Sequence, residues 1–247
     1  MISTNVKRVA ALAATVVLLT AAPGTAFAQT DPVETRTAEA ERTEAIDQLK
    51  RRALTAIDTR LAAIARWIEM VENSEHLTTE HRAALQTELS AATRGLTALA
   101  ADIEAATTYS ELGGLIPKIV EDHWIFALLG PKVHLVVSAD HMTHVAGRFD
   151  ETAESIEAAI DRAEEAGYDV TEAQESLDRM LAHLAAAALL IEGVPRNVLA
   201  LQPADMPEGR DLLRSAHADL NSSGHELRSA REAARRAVEA LRDILNG

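Results

Sequence analysis

The sequence predicts an all-α fold, an elongated antiparallel bundle of about five to six helices with heptad-type packing. Three observations predict it. Apolar residues recur at alternating steps of three and four along most of the chain, which keeps one stripe on one helix face. Aromatic residues make up only 3% of the 247 residues while alanine is abundant, and alanine combines the best helix propensity with close approach of helix axes. The 11 glycines and 7 prolines fall in clusters and leave long uninterrupted segments between them.

Residues 1–28 carry the three parts of a secretory signal peptide. Lys7 and Arg8 give the positive start, Val9 to Leu19 the apolar run, and Ala26-Phe27-Ala28 the small–x–small pattern before Gln29. The apolar run is too short to span a bilayer as a helix. Cleavage between Ala28 and Gln29 is therefore expected, and with it a secreted or otherwise extracytoplasmic bacterial protein. Without that segment the chain has 22 positive and 38 negative groups, a net charge of −16. Such an acidic surface repels nucleic-acid phosphates and anionic lipid. No later stretch is apolar enough to cross a membrane. With no cysteine, disulfides, thiolate metal sites and cysteine catalysis are excluded.

Residues 29–43 are polar and read as a flexible leader, and the bundle domain runs from 44 to 247. Five heptad rows follow. The first is Leu54, Ile57, Leu61, Ile64, Ile68 and Val71. The second runs from Leu85 through Leu89, Ala92, Leu96, Leu99 and Ile103 to Ala106. The third runs from Leu135 to Ala163, the fourth from Ala173 to Ile191, and the fifth from Leu213 to Ile244. Thr78 is placed to cap the second helix. Gly167 stands where a left-handed cap ends a helix, and Thr171 with Gln174 suggests a capping box. Gly193 to Pro207 is a long connection, part of it read as a continuation of the preceding helix.

Tyr109 to His134 breaks the pattern. It contains Gly113-Gly114, Pro117, Gly130-Pro131 and the dense apolar run Trp124-Ile125-Phe126-Ala127-Leu128-Leu129. Thr108 and Glu111 can cap a helix there. Two short helical pieces are expected to meet the long helix at Pro131, whose ring removes a hydrogen bond to Ala127; an extended stretch is the alternative. The expected hinge lies at Gly130-Pro131, with Gly130 free to take a positive φ.

The stretch from Trp124 to Asp140, with a Leu-Thr helix start before it and Asp169-Val170-Thr171 after it, resembles a segment in a family of uncharacterised exported all-helical, coiled-coil-like proteins of Gram-positive bacteria. The chain has His123 where that family usually has arginine, and Gly130 in place of an aliphatic residue. The resemblance implies export and helices, and no particular activity.

The sequence contains no His-Glu-x-x-His, no Glu-x-x-His, no Gly-x-Ser-x-Gly and no glycine-rich phosphate loop, so no catalytic, cofactor or metal residues are assigned. One polar cluster stands out: His134, Asp140, His141 and His144, spaced to share one face of a helix, with His123 as an outside group. Imidazoles and a carboxylate can hold zinc or copper. The plainer reading is that Asp140 hydrogen-bonds a helix terminus or His144 and the histidines are solvated. The composition points to a non-enzymatic structural or interaction protein of the cell envelope or medium, with an unidentified protein or envelope partner. The alternatives are a small-ligand or metal-binding protein using residues 117–150, and an amphipathic lipid binder.

Overall fold

The computed structural model describes residues 32–122 and 124–246; the expected cleavage site at Ala26, Ala28 and Gln29, and His123, lie outside them. The chain divides into two units, one ending at Arg42 and one starting at Thr43. In the first, the described residues are helical from Pro32 and belong to helix α1 (Pro32–Asn73). The segment expected as a polar leader is thus helical where it is described. A polar composition does not exclude a helix, because Glu, Ala and Arg are all good helix formers.

From Thr43 onward the unit is an all-α bundle, with no strand among the described residues. Its long helices are the rest of α1, α2 (Thr79–Ala105), α5 (Gly130–Glu165), α6 (Thr171–Glu192) and α8 (Arg210–Asn246). Short helices α3 (Tyr109–Leu115), α4 (Lys118–Glu121) and α7 (Val194–Ala200), a π-helical turn at Ile125–Leu129 and a 3-10 turn at Pro203–Asp205 complete it. Contacts between sequence neighbours give the directions. Lys50 reaches Glu104 while Arg82 reaches Val71, so α1 and α2 are antiparallel. Lys132 meets Glu88 and Asp140 meets Thr78, so α2 and α5 are antiparallel too. His183 meets Glu226, and Glu172 lines a surface recess with Asp243, so α6 and α8 also run in opposite directions.

Two apolar cores share α5 and α8. The larger joins α1, α2, the 109–129 region, the first half of α5, α7 and the start of α8. The smaller is a three-helix core of α5, α6 and α8. The second, fourth and fifth heptad rows are buried almost throughout. Each fully buried leucine or isoleucine in them contributes roughly 1.5–3 kcal/mol, more than any propensity term. In the fifth row Ser223 is fully buried, and its hydroxyl has no hydrogen-bond partner.

The helix ends follow the sequence in three places and depart from it in one. Thr78 accepts the N–H of His81 and caps α2, and Thr108 with Glu111 forms a capping box at α3. Gly167 has φ +86, and the N–H of Tyr168 returns to Ala163, a Schellman closure of α5. At α6 the capping group is Asp169, which accepts from the N–H and hydroxyl of Thr171, rather than Thr171 itself. The helix begins at Thr171, one residue earlier than the Thr171–Gln174 spacing suggests, because the carboxylate two residues before it takes the free N–H of Thr171.

The expected hinge at Gly130-Pro131 is displaced. Backbone runs helically from Ile125 through Pro131 into α5, and Gly130 has φ −60. The break lies at Trp124, whose φ of 41 puts it in the left-handed region. In the π-turn the N–H of Gly130 bonds to Ile125, five residues back. This wider turn accommodates a proline directly after it, whose missing N–H falls at the start of α5. Gly130 serves packing instead: a Cβ there would lie 2.6 Å from the Trp67 ring. The Gly193–Pro207 connection contains α7, which begins at Val194 directly after α6.

Candidate functional site

The polar cluster of α5 is drawn together at the corner where α1 turns into α2. Asp140 is 6% exposed. Its Oδ2 accepts the N–H of Thr78 at 2.8 Å, and both its oxygens lie 2.9 Å from His81 Nδ1. A buried carboxylate left without donors costs several kcal/mol, so these bonds are what allows it to sit there. Arg82 closes the same corner, donating to the carbonyls of Val71, Glu72 and Ser74 at the end of α1. On the outside, His76 stacks on His144 with ring centres 3.8 Å apart and lies 5.4 Å from His141.

Of the residues singled out from sequence, the structure brings Asp140, His141 and His144 to this corner and leaves His134 exposed on α5 outside these contacts. It adds His76 and His81, which sequence spacing does not reveal because they come from another hairpin. Asp140 does bond a helix terminus, but its imidazole partner is His81 rather than His144. Among the described residues no group of three His, Asp or Glu side chains converges to hold a metal ion. Both oxygens of Asp140 are committed to tying α5 to the start of α2.

A second locus surrounds the π-turn. Trp124 is a bulky residue in a backbone region that costs on the order of 1–3 kcal/mol. Around it, Trp67 meets Phe126 edge-on at 6.3 Å, Arg60 lies 5.5 Å over Phe126, and Arg210 lies 5.7 Å over Trp124. Burial holds the Arg60 guanidinium below its ordinary range. Below the turn Lys132 is 1% exposed. Its Nζ donates to Glu88 Oε1 at 2.9 Å and Oε2 at 2.7 Å, to the Leu201 carbonyl at 2.7 Å and to that of Leu199 at 3.4 Å. The pair bridges α2, α5 and the segment after α7. A sequence signal exists for it: Lys132, Val136 and Ala139 fall on one helix face, so the lysine interrupts an apolar stripe. Beside Glu88 a recess of about 230 Å³ opens between α2, the π-turn and Gln202-Pro203.

The third feature is the outer face of α6. Leu181, Ala182, Ala185, Ala188 and Leu189 are all exposed, Leu189 to 76%. Fold and sites together define an all-α bundle protein. No described helix is long and apolar enough to cross a membrane. Comparison with protein-family models, with curated proteins and with solved structures gives no match.

Proposed function

We propose that the chain is an exported, non-enzymatic interaction protein whose contact surface is the outer face of α6. The observation that carries this reading is Leu189, 76% exposed in an apolar strip eight residues along the helix from Leu181. A recess flanks the strip on each side. One, of about 290 Å³, is lined by Thr143, Ala146, Ala188 and Ile191 between α5 and α6. The other, of about 270 Å³, includes Leu189, Leu190, Leu212 and Asp219, toward α7 and α8. An apolar ridge between two grooves matches the way one helix packs on another. Large apolar side chains held in water on a rigid helix are unfavourable unless something covers them.

Charge narrows the occupant. Glu192 and Asp219 line the recesses that flank the strip, and the whole chain is at −14. The partner is therefore a helix with an apolar face flanked by Lys or Arg, and the same charge disfavours a second copy of this chain. Export is supported by Lys7, Arg8, the Val9–Leu19 run and Ala26-Phe27-Ala28. A non-enzymatic role is supported by the commitment of Asp140, His81, Glu88 and Lys132 to contacts between helices.

A benzophenone side chain introduced at Ala185 and irradiated in the native envelope and medium tests the reading. It should give one discrete protein adduct, while the same group at Arg94 on α2 gives none. An adduct of twice the chain mass would replace the partner with a second copy. Equal labelling from both positions would remove the α6 surface from consideration.

A further inference from the structure

We propose that the recess beside the π-turn is a binding site for a small organic ammonium ion, a primary amine carrying an apolar chain. The recess is lined by Glu88, Ala91 and Ala92 of α2, Asp122, Leu128 and Leu129 of the π-turn, and Gln202-Pro203. Alanine, leucine and proline make the walls, and the polar groups among them are two carboxylates and one amide. That is the make-up of a ligand pocket, mostly apolar with a few fixed polar groups. Its volume of about 230 Å³ is that of roughly eight liquid waters, which suits a short alkyl chain and its head group.

The charges decide the class of ligand. Lys132, the ion-pair partner of Glu88, is buried and directs its donors to Glu88, Leu201 and Leu199. It has no donor left for an anion in the recess. Glu88, whose side chain is 31% exposed, is paired through both oxygens with that lysine but keeps outward lone pairs, since a carboxylate offers about four acceptor sites, so the unbalanced negative charge of the recess is that of Asp122. Asp122 is exposed and, among the described residues, belongs to no ion pair. An ammonium can donate to Asp122, to Glu88 and to the Gln202 amide oxygen while its chain lies on Leu128 and Leu129. A calcium ion asks for six to eight oxygens; the recess offers two carboxylates, one of them already engaged. The π-turn and left-handed Trp124 set the position of Leu128 and Leu129, and such outliers persist only where the surrounding structure over-determines them.

Nitrogen-15 amide spectra of the full chain, titrated separately with hexylammonium, hexanoate and calcium chloride, test this. Hexylammonium should give saturable shifts confined to Ala91, Ala92, Leu128, Leu129 and Gln202. Hexanoate should bind at least about threefold more weakly, and Asp122→Asn should weaken hexylammonium roughly two- to fivefold, as expected for one exposed charge pair. Ala91→Phe, which fills the mouth, should abolish the shifts; if that variant does not fold, Asp122→Asn carries the test alone. Equal affinity for hexanoate, no change in Asp122→Asn, shifts scattered over the surface, or the same shifts with tighter binding of calcium would each overturn the proposal.

Discussion

Asp140 accepts the backbone N–H of Thr78 at 2.8 Å from 62 residues away in sequence, so the start of α2 is held by a carboxylate on α5. Thr78 in turn accepts from His81 N, and His81 Nδ1 returns to Asp140. Three groups thus close one loop of hydrogen bonds at the corner of the bundle. Asp140→Ala leaves the Thr78 N–H without this acceptor and His81 without its partner. The expected loss is about 2–3 kcal/mol. It should appear in urea unfolding as a lower midpoint at unchanged slope. His81→Gln, which leaves the Thr78 bond in place, should cost about 1 kcal/mol.

The Lys132–Glu88 pair predicts an asymmetry. Lys132 is buried, while the Glu88 side chain is 31% exposed and can be hydrated on its own. Glu88→Ala strands a buried ammonium and should cost about 3–5 kcal/mol. Lys132→Met strands only a carboxylate that reaches water, together with two carbonyls, and should cost less. Urea unfolding of the two variants side by side checks the order; the reverse order would mean that Lys132 is reached by water.

Gly130 tests packing against propensity. In a helix, Gly→Ala normally stabilises by about 1 kcal/mol. Here a Cβ would meet the Trp67 ring at 2.6 and 2.8 Å, and overpacking of this kind costs about 1–3 kcal/mol. Gly130→Ala should therefore lower the melting temperature, and Trp67→Leu in the same chain should recover part of the loss. A stabilised single variant would show that the indole moves aside freely.

Much of this was legible beforehand, and the boundary has a physical cause. Helical periodicity and capping are local, so the rows from Leu85 to Ala106 and Ala173 to Ile191, the Thr78 cap and the Gly167 closure could be read from neighbours in sequence. The His81–Asp140 and Lys132–Glu88 contacts join residues 59 and 44 apart, and no local spacing encodes them. The hinge expected at Pro131 shows the same limit: proline's missing donor is a local property, but a π-turn that absorbs it leaves no periodic signature. Gly130 looked like a conformational residue because the Trp67 ring that requires it lies on another helix.

Glu111 carries a pH prediction. Its carboxylate accepts the N–H groups of Thr107 and Thr108, and these bonds hold it below its ordinary value of 4.5. A carboxyl group lowered on folding contributes its stabilisation fully above that ordinary value and loses it as pH falls through the lowered one. Amide exchange at Thr107 and Thr108 should therefore show protection, relative to the intrinsic rate, that is flat above about pH 5 and falls on further acidification. In Glu111→Gln that acid-dependent fall should disappear. A pH-independent protection in the unchanged chain would contradict it.

The outer face of α6 is where the functional account is most exposed to test. The measurement is the yield of the cross-linked adduct from a benzophenone at Ala185, with and without Leu189→Glu, with thermal unfolding followed on the same samples. Leu189 is exposed, so the charge should shift stability by no more than about 0.5 kcal/mol. The account predicts that the adduct falls at least about tenfold, the equivalent of about 1.4 kcal/mol of lost binding, with melting essentially unchanged. An adduct that persists undiminished in Leu189→Glu, or none in the unchanged chain, would contradict the reading of this protein as an interaction bundle that docks its partner on α6.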